Sequence, residues 1–561
     1  MVSHGELHGE LPMSRRDEAE PLDALRARGE RFLEEISTEY HAAHAGLKTT
    51  PELQAIYKRH EGAYGDEAFA QALELFKATG PISSFATVAS ASGTGRGNGE
   101  APTGFTAAAR VGALAETGAA AAHRSARLLL DWLLESRVGR ELAALDEREI
   151  AWENAAIVTL PDGTGEPYQR VPITLGNTRD VRARHALDDA RAALVARELA
   201  PMREERFQRE HEVVAKLGIA PTYNATWEAL NDVSLAGLRA ECVAFLRDTQ
   251  TMWNDLLPEF LKRGLDMKPA DATRADVAAL MRFPAFDPYF TAEAMEREVR
   301  RQVTEMGTSP DADGRVLYDT GDRAGKRPRA FCAPVRIPDM VHLVLRPHGG
   351  QNDWMTLLHE LGHALHFANM ARALPFEFRW LGDNSVTEGY AMLFDHRLKD
   401  RGWLARYSGL GTAAKKELPA FLRAAGFEEL HFVRRYCAKF IYETELHGGT
   451  VGWSALPDLF VETLTAATGF RYQRADAFVD VDPRYYAARY LRAWQLQAVL
   501  DESLRGRFDA DWWRNPRAGP WMVGELFALG QRERADEQAQ RVAGKGLSFA
   551  PVIAGIERMV G

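Results

Sequence analysis

Residues 353–368 read DWMTLLHELGHALHFA, and the interpretation of the whole chain starts from this stretch. Its apolar residues recur at the three- and four-residue spacing of an amphipathic helix. Asp353 stands before the apolar run, where a short acidic side chain can cap a helix. The pattern predicts a helix that begins near Asp353. His359 and His363 then lie on one face, because residues i and i+4 of a helix are neighbours.

The two histidines enclose Glu360 in an HExxH motif. With 16 histidines in 561 residues, a chance match is expected below about 0.1 times per chain. Two imidazoles on one helical face can hold one metal ion, and catalytic zinc takes two or three nitrogens and a carboxylate and keeps one position for water. Glu360 lies one step around the helix and can reach that water without binding the metal. The other interpretation is a buried helix with two hydrogen-bonded histidines, which a lone histidine would favour.

Glu388 is the candidate third ligand, 25 residues beyond His363 (388 − 363). A proline and a glycine between them predict that the chain turns and returns as a second helix. Asp395 lies seven residues after Glu388 on the same face, where it would accept a hydrogen bond from an imidazole N–H. Ser385-x-x-Glu388 is also a capping box. Ligation is favoured because HExxH leaves zinc one ligand short.

A series of short patterns surrounds the motif in order: Gly325-Lys-Arg, Ala330-Phe-Cys332, an apolar run at 341–345, HELGHALH at 359–366 and the Glu388 helix. This order resembles the thimet oligopeptidase and oligoendopeptidase family of gluzincin zinc metallopeptidases. The close resemblance covers roughly residues 315–400, and a weaker one continues to the C-terminus. The first 300 residues resemble the family only in being helical. The resemblance implies a mainly α fold with a deep channel for unfolded oligopeptides. It also implies that 341–345 is an edge strand that pairs with substrate, although an ordinary buried strand fits equally well.

Residues 485–497, YYAARYLRAWQLQ, carry the second candidate group. Tyr486 and Tyr490 share one helical face, and a tyrosine hydroxyl can donate to the oxyanion of a tetrahedral intermediate. The oligopeptidase family has a comparable tyrosine-rich segment, but its histidine is missing before Tyr485. The Arg-Tyr pair and the glutamine-rich helix are similar instead to the angiotensin-converting enzyme family. This resemblance implies an oxyanion role for Tyr490 and a substrate- or chloride-associated role for Arg489. Core packing is the alternative, more so for Tyr486 than for Tyr490.

The composition excludes several classes of protein. The chain has 69 basic and 79 acidic residues, a net charge of −10, which argues against nucleic-acid binding through overall charge. Its 3 cysteines lie far apart, so neither a disulfide framework nor a cysteine zinc site is expected. No apolar run approaches the ~18 residues of a membrane helix, and the N-terminus lacks a signal-peptide core. We expect a cytoplasmic protein with oligopeptide substrates and no nucleic-acid or membrane partner; its oligomeric state stays open.

We predict a polar tail at 1–20, a helical region at 21–306 that forms one channel wall, and a catalytic region at 307–561. The catalytic region contains a small β-sheet beside the HExxH helix. A hairpin is predicted from Ile157–Leu160 and Tyr168–Leu175, and the glycine-rich stretch at 90–104 is interpreted as a surface loop. Helical spacing is found near 21–45, 51–79, 105–147, 180–217, 233–263 and 291–306.

These features predict zinc-dependent hydrolysis of peptide bonds in short oligopeptides, with one zinc ion and Glu360 as general base. An exopeptidase of the carboxypeptidase or dipeptidyl-carboxypeptidase type is the first alternative, and it would need a cationic anchor such as Arg489 or Arg492. An inactive peptide-binding protein is the second, although such a protein has no need of Glu360. A structural zinc protein is the third, with His366 as the nearest candidate for a fourth ligand.

Overall fold

The computed structural model describes residues 19–80, 118–323, 325–327, 330–411 and 416–561. The predictions for the tail before residue 19 and for the loop at 90–104 lie outside these ranges. The described residues are mainly helical with two small sheets, which confirms the predicted fold class. The first half contains α1 (Ala19–His44), α2 (Leu53–Arg59), α3 (Glu61–Tyr64), α4 (Asp66–Thr79), α5 (Gly118–Ala155), α6 (Val171–Asn177), α7 (Val181–Leu194), α8 (Ala200–Leu217), α9 (Tyr223–Asn231), α10 (Leu235–Asp248), α11 (Gln250–Leu265), α12 (Arg274–Leu280) and α13 (Ala292–Glu305).

The second half carries the HExxH helix and the helices that pack around it. No helix in the described ranges is long and apolar enough to cross a membrane. The helices are α14 (Gln351–Ala368), α15 (Phe376–Trp380), α16 (Asn384–Asp395), α17 (Arg401–Tyr407), α18 (Glu417–Leu446), α19 (Leu456–Thr468), α20 (Tyr486–Phe508), α21 (Ala518–Glu525), α22 (Ala535–Ala543) and α23 (Ala550–Val560).

The predicted helices are present within the described ranges, with differences at their boundaries; the part of the 105–147 segment before residue 118 lies outside these ranges. The segment at 51–79 divides into three helices, and the extended backbone of Gly65 (ψ −175°) separates α3 from α4. The segment at 233–263 divides into α10 and α11, because Thr249 leaves the helical region at ψ 2°. A π-helical turn at Val195–Leu199 joins α7 to α8.

The predicted hairpin is confirmed in its first arm only, because the observed second strand lies before the stretch that was predicted to form it. Strands β1 (Ile157–Thr159) and β2 (Gly165–Pro167) pair antiparallel. The stretch predicted as the second strand, Tyr168–Leu175, is helical instead. Pro172 is the second residue of α6, and a missing N–H costs nothing in the first turn of a helix. In a strand, the same proline would remove a hydrogen bond of the ladder.

The second sheet lies beside α14 and has the strand order β3-β5-β4. Its strands are β3 (Val316–Asp319), β4 (Phe331–Arg336) and β5 (Met340–Val344). Strand β5 is parallel to β3 and antiparallel to β4, so both of its hydrogen-bonding sides are occupied. The expectation that 341–345 forms an edge is therefore wrong, and β4 is the edge strand beside the HExxH helix.

Close approach of α14 to α16 depends on the glycine within HELGH. A Cβ placed on Gly362 would lie 2.6 Å from the Cα of Ala391 in α16. On the other side of α16, a Cβ on Gly389 would lie 2.8 Å from a methyl group of Leu496 in α20. Three helices therefore pack with little space between them, and their contact positions the site.

Gly362→Ala tests this contact. The methyl group meets backbone atoms that cannot move alone, so we expect a loss of ~1–3 kcal/mol of stability, as for overpacked cores, and a lower midpoint of thermal unfolding. Gly506→Ala is the matched control, because a Cβ placed on that helical glycine would meet no other part of the described structure within 4 Å, and alanine should be neutral or stabilising there. An unchanged midpoint for Gly362→Ala would contradict the account.

Candidate active site

Helix α14 begins two residues earlier than the sequence predicts. Its N-cap is Gly350, at φ 91°, and the helix starts at Gln351. Asp353 lies inside the first turn, where its carboxylate accepts hydrogen bonds from the backbone N–H groups of His348 (2.6 Å) and Gly349 (3.0 Å). The Asp353 side chain therefore binds the backbone of the preceding loop and is not the N-cap of the helix.

His359, His363 and Glu388 converge on one point. Glu388 Oε2 lies 3.4 Å from His359 Nε2 and 3.7 Å from His363 Nε2. Tetrahedral zinc with bonds of ~2.0–2.1 Å separates its ligand atoms by roughly 3.4 Å. Glu388 Oε2 is buried and has no hydrogen-bond partner, and a buried charge without a partner is costly. The three side chains therefore fit a zinc ion.

The far side of each imidazole is also bonded. His359 Nδ1 donates to Asp395 Oδ2 at 2.9 Å, and His363 Nδ1 lies 2.8 Å from the hydroxyl oxygen of Thr387. Such bonds turn the two Nε2 atoms toward the metal position and fix the ring orientation. Asp395 was expected in this place. Thr387 was missed, and its one signal in the sequence is its position directly before Glu388.

The surroundings shift the pKa values of His359, His363 and Glu388 in different ways. Burial lowers the pKa of His359, but the hydrogen bond to Asp395 and the negative charges of Asp395 and Glu388 outweigh it and raise the pKa to about 10. Burial lowers the pKa of His363 to about 4, with only partial opposition from Glu388. Burial raises the pKa of Glu388, but His359 and His363 reverse this and hold it below its usual value. Glu388 is thus ionised, as a metal ligand must be.

The second oxygen of Glu388 is held by Tyr486. The tyrosine hydroxyl donates to Glu388 Oε1 at 2.9 Å. The capping box does not form, because Asp383 is the N-cap and accepts from the Ser385 N–H at 2.9 Å. Glu388 is therefore available to the histidines. An oxyanion role for Tyr486 stays a prediction, since in this structure its proton is donated to Glu388.

Glu360 borders two cavities. Its Oε2 accepts a hydrogen bond from the Cys332 N–H of β4 at 2.8 Å. One cavity, of about 460 Å³, also exposes His359 and continues to α18 and α20. The other, of about 480 Å³, lies between α1 and β4. The carboxylate thus faces open space beside the candidate metal ligands. The first cavity is lined by Ala330, Leu345, Arg346, Asp353, Met355, Thr356, His359, Glu360, Met392, Asp395, Phe432, Tyr436, Tyr490 and Trp494.

The tyrosine helix brings Tyr490 to the site but not Arg489. Tyr490 lines the 460 Å³ cavity, with its ring centre 5.0 Å from that of Tyr486 and 5.4 Å from that of Tyr436. Arg489 Nη2 lies 3.9 Å from an Asp131 carboxylate oxygen in α5, and the guanidinium lies 5.4 Å from the Tyr486 ring centre. Arg489 does not line this cavity, so its substrate role stays a prediction without a contact to support it.

The start of α20 has an uncommon backbone. Arg484 and Tyr485 have φ values of 49° and 56°, a conformation that costs energy for residues other than glycine. Arg484 forms an ion pair with Asp131, and its carbonyl accepts from Trp227 Nε1 at 2.9 Å. The Tyr485 hydroxyl donates to Asn224 Oδ1 at 2.6 Å. Helices α5 and α9 therefore hold the turn that presents Tyr486 to Glu388.

Arg346 is a cation of the cavity that sequence reasoning missed. Its Nε is buried without a hydrogen-bond partner, and its Nη2 lies 2.8 Å from the exposed carboxylate of Asp322. Arg492, an expected anchor, instead forms a 2.6 Å ion pair with Asp536 and does not line the cavity. The signal for Arg346 was its place at the end of the strand directly before the HExxH loop.

A fourth protein ligand is absent from the described part of the chain. There, His359, His363 and Glu388 form the one group of at least three His, Cys, Asp or Glu side chains that could hold a metal ion. His366, the candidate fourth ligand, has its Nε2 3.3 Å from the Gly530 carbonyl oxygen. The described residues therefore offer three protein ligands, which leaves one position of a tetrahedral zinc ion for water.

Comparisons with known proteins find similarity in structure but not in sequence. No family model matches the chain, and no curated protein matches it. Among solved structures, the fold is similar to that of the M32 carboxypeptidase from Deinococcus radiodurans R1, with a TM-score of 0.56 and 12% sequence identity. The match covers 97% of this chain and 100% of that one. The match thus extends to the described residues before the HExxH helix, and it does not single out the oligopeptidase family.

Tyr486→Phe tests the bond that holds Glu388. Loss of a partner that orients a metal ligand typically weakens metal binding by ~10–100-fold, so we expect that loss for zinc, measured by competition with a chromophoric chelator. Tyr490→Phe is the matched control and should bind zinc as the unmodified protein does. Unchanged zinc affinity in Tyr486→Phe would contradict this role.

Proposed function

We propose that this chain is a zinc-dependent metallopeptidase that hydrolyses peptide bonds in short peptides. The observation that carries the proposal is the buried Glu388 Oε2, which has no hydrogen bond and faces the Nε2 atoms of His359 and His363, with Glu360 at the adjoining cavity. The fold shared with a carboxypeptidase supports the same class of enzyme. The presence of Glu360 argues against an inactive peptide-binding protein.

Each side chain of the site has a distinct task in this proposal. His359, His363 and Glu388 would hold the zinc ion. Zinc, when bound, supplies a Lewis acid for the scissile carbonyl and lowers the pKa of a water ligand. Glu360 accepts the proton of the attacking water and returns it to the leaving amine. The Cys332 N–H keeps the Glu360 carboxylate in position.

Tyr490 is the proposed donor to the oxyanion. It lines the same cavity as His359 and Glu360, and its ring lies beside that of Tyr486. A hydroxyl that meets the oxyanion only as it forms stabilises the transition state more than the bound substrate.

The walls of the cavity suit an extended peptide. Met355 and Phe432 line it with 39% and 36% of their surface exposed, and exposed apolar side chains in a cleft are typical of ligand contacts. The edge strand β4 lies beside Glu360 and offers backbone groups for strand addition. Helix α1 faces β4 across the second cavity, so the region at 21–306 would form one wall of the channel.

A carboxypeptidase is the second candidate, and Arg346 is the observation that favours it. A peptide's C-terminal carboxylate would satisfy the unpartnered Nε, and bonds between arginine and carboxylate are charge-assisted. The present partner, Asp322, is 71% exposed, and such pairs contribute little. The fold of the M32 carboxypeptidase supports this candidate at least as well as it supports the oligopeptidase.

Glu360→Gln tests the proposed chemistry. The substitution keeps the shape of the side chain but removes its basicity. We expect hydrolysis of a mixed peptide library, followed by mass spectrometry, to fall by at least ~10² with zinc content retained. His359→Ala should lose zinc as well as activity. Turnover by zinc-loaded Glu360→Gln close to that of the unmodified protein would refute the base.

Tyr490→Phe tests the oxyanion donor. If its hydroxyl engages only in the transition state, kcat should fall by ~10²–10³ and KM should change little. Tyr436→Phe is the control, because it removes a hydroxyl from the same cavity wall at a tyrosine that is not proposed to contact the oxyanion. An unchanged kcat for Tyr490→Phe would assign the oxyanion to another donor.

Arg346→Gln separates the two candidate functions. A carboxypeptidase should trim residues from the C-terminus, act poorly on the same peptide with an amidated C-terminus, and lose at least ~10-fold in kcat/KM on the acid when Arg346 is changed. An oligopeptidase should cut internally and tolerate the amide. Arg182→Gln, an exposed arginine elsewhere, is the control. Equal kcat/KM for acid and amide would exclude Arg346 as a carboxylate anchor.

A further inference from the structure

A third cavity, of about 840 Å³, lies beside the residues that follow α16. Its walls come from that segment and from α17, α18, α20 and α23. None of its lining residues belongs to the candidate metal site or to the 460 Å³ cavity. It is therefore a separate space that the proposed peptidase chemistry does not use.

The carboxylates that line this cavity already form ion pairs within the protein. Five acidic side chains line it, and each forms an ion pair with a cationic side chain of the protein. None of the five needs a further cation, so the cavity is not a metal site. The pairs are Glu429–Lys399, Asp400–Arg505, Asp501–Arg397, Asp511–Arg514 and Glu502–Lys545.

Two arginines that line the cavity have no ion-pair partner among the described residues. Arg401, the first residue of α17, and Arg558 in α23 are both exposed, and neither forms an ion pair or a hydrogen bond with any residue that the structure describes. Arg397, which is only 2% exposed, also lines the cavity, and its Nη1 has no hydrogen-bond partner. The cavity therefore presents two cationic side chains without an ion-pair partner among the described residues, and one buried N–H donor without a hydrogen bond.

Part of the remaining lining is apolar. Leu422 of α18 and Val552 and Met559 of α23 contribute hydrocarbon surface to the same space. A ligand that pairs with the arginines and also contacts this hydrocarbon surface combines an anionic group with an apolar part. Arginine is the side chain best suited to bind carboxylate and phosphate groups, because its donors match their oxygens in pairs.

We propose that this cavity binds a small organic anion, a carboxylate or a phosphate monoester. Its charged group pairs with Arg401 and Arg558, and its apolar part packs against the hydrocarbon of α18 and α23. Binding at this place does not depend on the proposed peptidase function.

The cavity also reaches toward the candidate metal site. His396 lines it, and His396 Nδ1 lies 2.6 Å from Asp395 Oδ1. The other oxygen of Asp395 accepts from His359. An occupant would thus lie against a side chain that is two hydrogen bonds from a proposed zinc ligand.

Isothermal titration of the full chain with hexanoate, hexyl phosphate and inorganic phosphate, at constant ionic strength, tests the proposal. We expect one hexanoate or hexyl phosphate per chain, and the probe that binds more tightly identifies the charged group. The double variant Arg401→Gln/Arg558→Gln should weaken that binding at least ~10-fold, because each arginine contributes a charge-assisted hydrogen bond. Both side chains are exposed, so the variant should fold, and its thermal unfolding verifies this.

Arg182→Gln is the matched control, an exposed arginine on α7 that should bind the probe as the unmodified chain does. Equal affinity in the double variant would overturn the proposal, since the anion would then bind elsewhere. Inorganic phosphate binding as tightly as both organic probes, or no binding of either organic probe, would overturn it as well.

Discussion

The site depends on one buried carboxylate, that of Glu388. A carboxylate away from water is costly unless other groups pair with it. Glu388 lies on α16, and the neighbouring helices α14 and α20 supply its partners. Helix α14 places two imidazoles against one oxygen, and α20 places the Tyr486 hydroxyl on the other. Gly362 and Gly389 allow these helices to approach α16 closely enough. A shift of any of the three helices would leave this charge unsatisfied.

The N-terminal half contributes to the site through the geometry of α20. The turn before Tyr486 has two consecutive residues with positive φ, and contacts from α5 and α9 hold it. Backbone strain of this kind persists only where the surroundings impose it. Helix α1 also forms one side of the cavity that meets β4 and Glu360. The site is thus completed by elements that lie far apart in the sequence.

The sequence predicts the part of the site that helical periodicity controls. His359 and His363 are a helical turn apart, and Asp395 is two turns from Glu388, so local geometry alone brings each pair onto one face. The strand order was not predictable in this way, because which strand lies at the edge depends on pairing between distant segments. Thr387, Arg346 and the bond from Tyr486 were missed for the same reason. They depend on how elements cross. The second arm of the hairpin was predicted wrongly, because Tyr168–Leu175 has a strand-like composition but Pro172 lies in the first turn of a helix.

X-ray absorption at the zinc edge of the purified full chain tests whether His359, His363 and Glu388 together bind zinc. We expect one zinc per chain, two imidazole nitrogens and additional oxygens at ~2.0–2.2 Å, and no sulfur. In Glu388→Ala, zinc should bind more weakly, or its spectrum should lose one oxygen neighbour. A protein that binds no zinc, or an identical zinc spectrum and affinity in Glu388→Ala, would contradict the account.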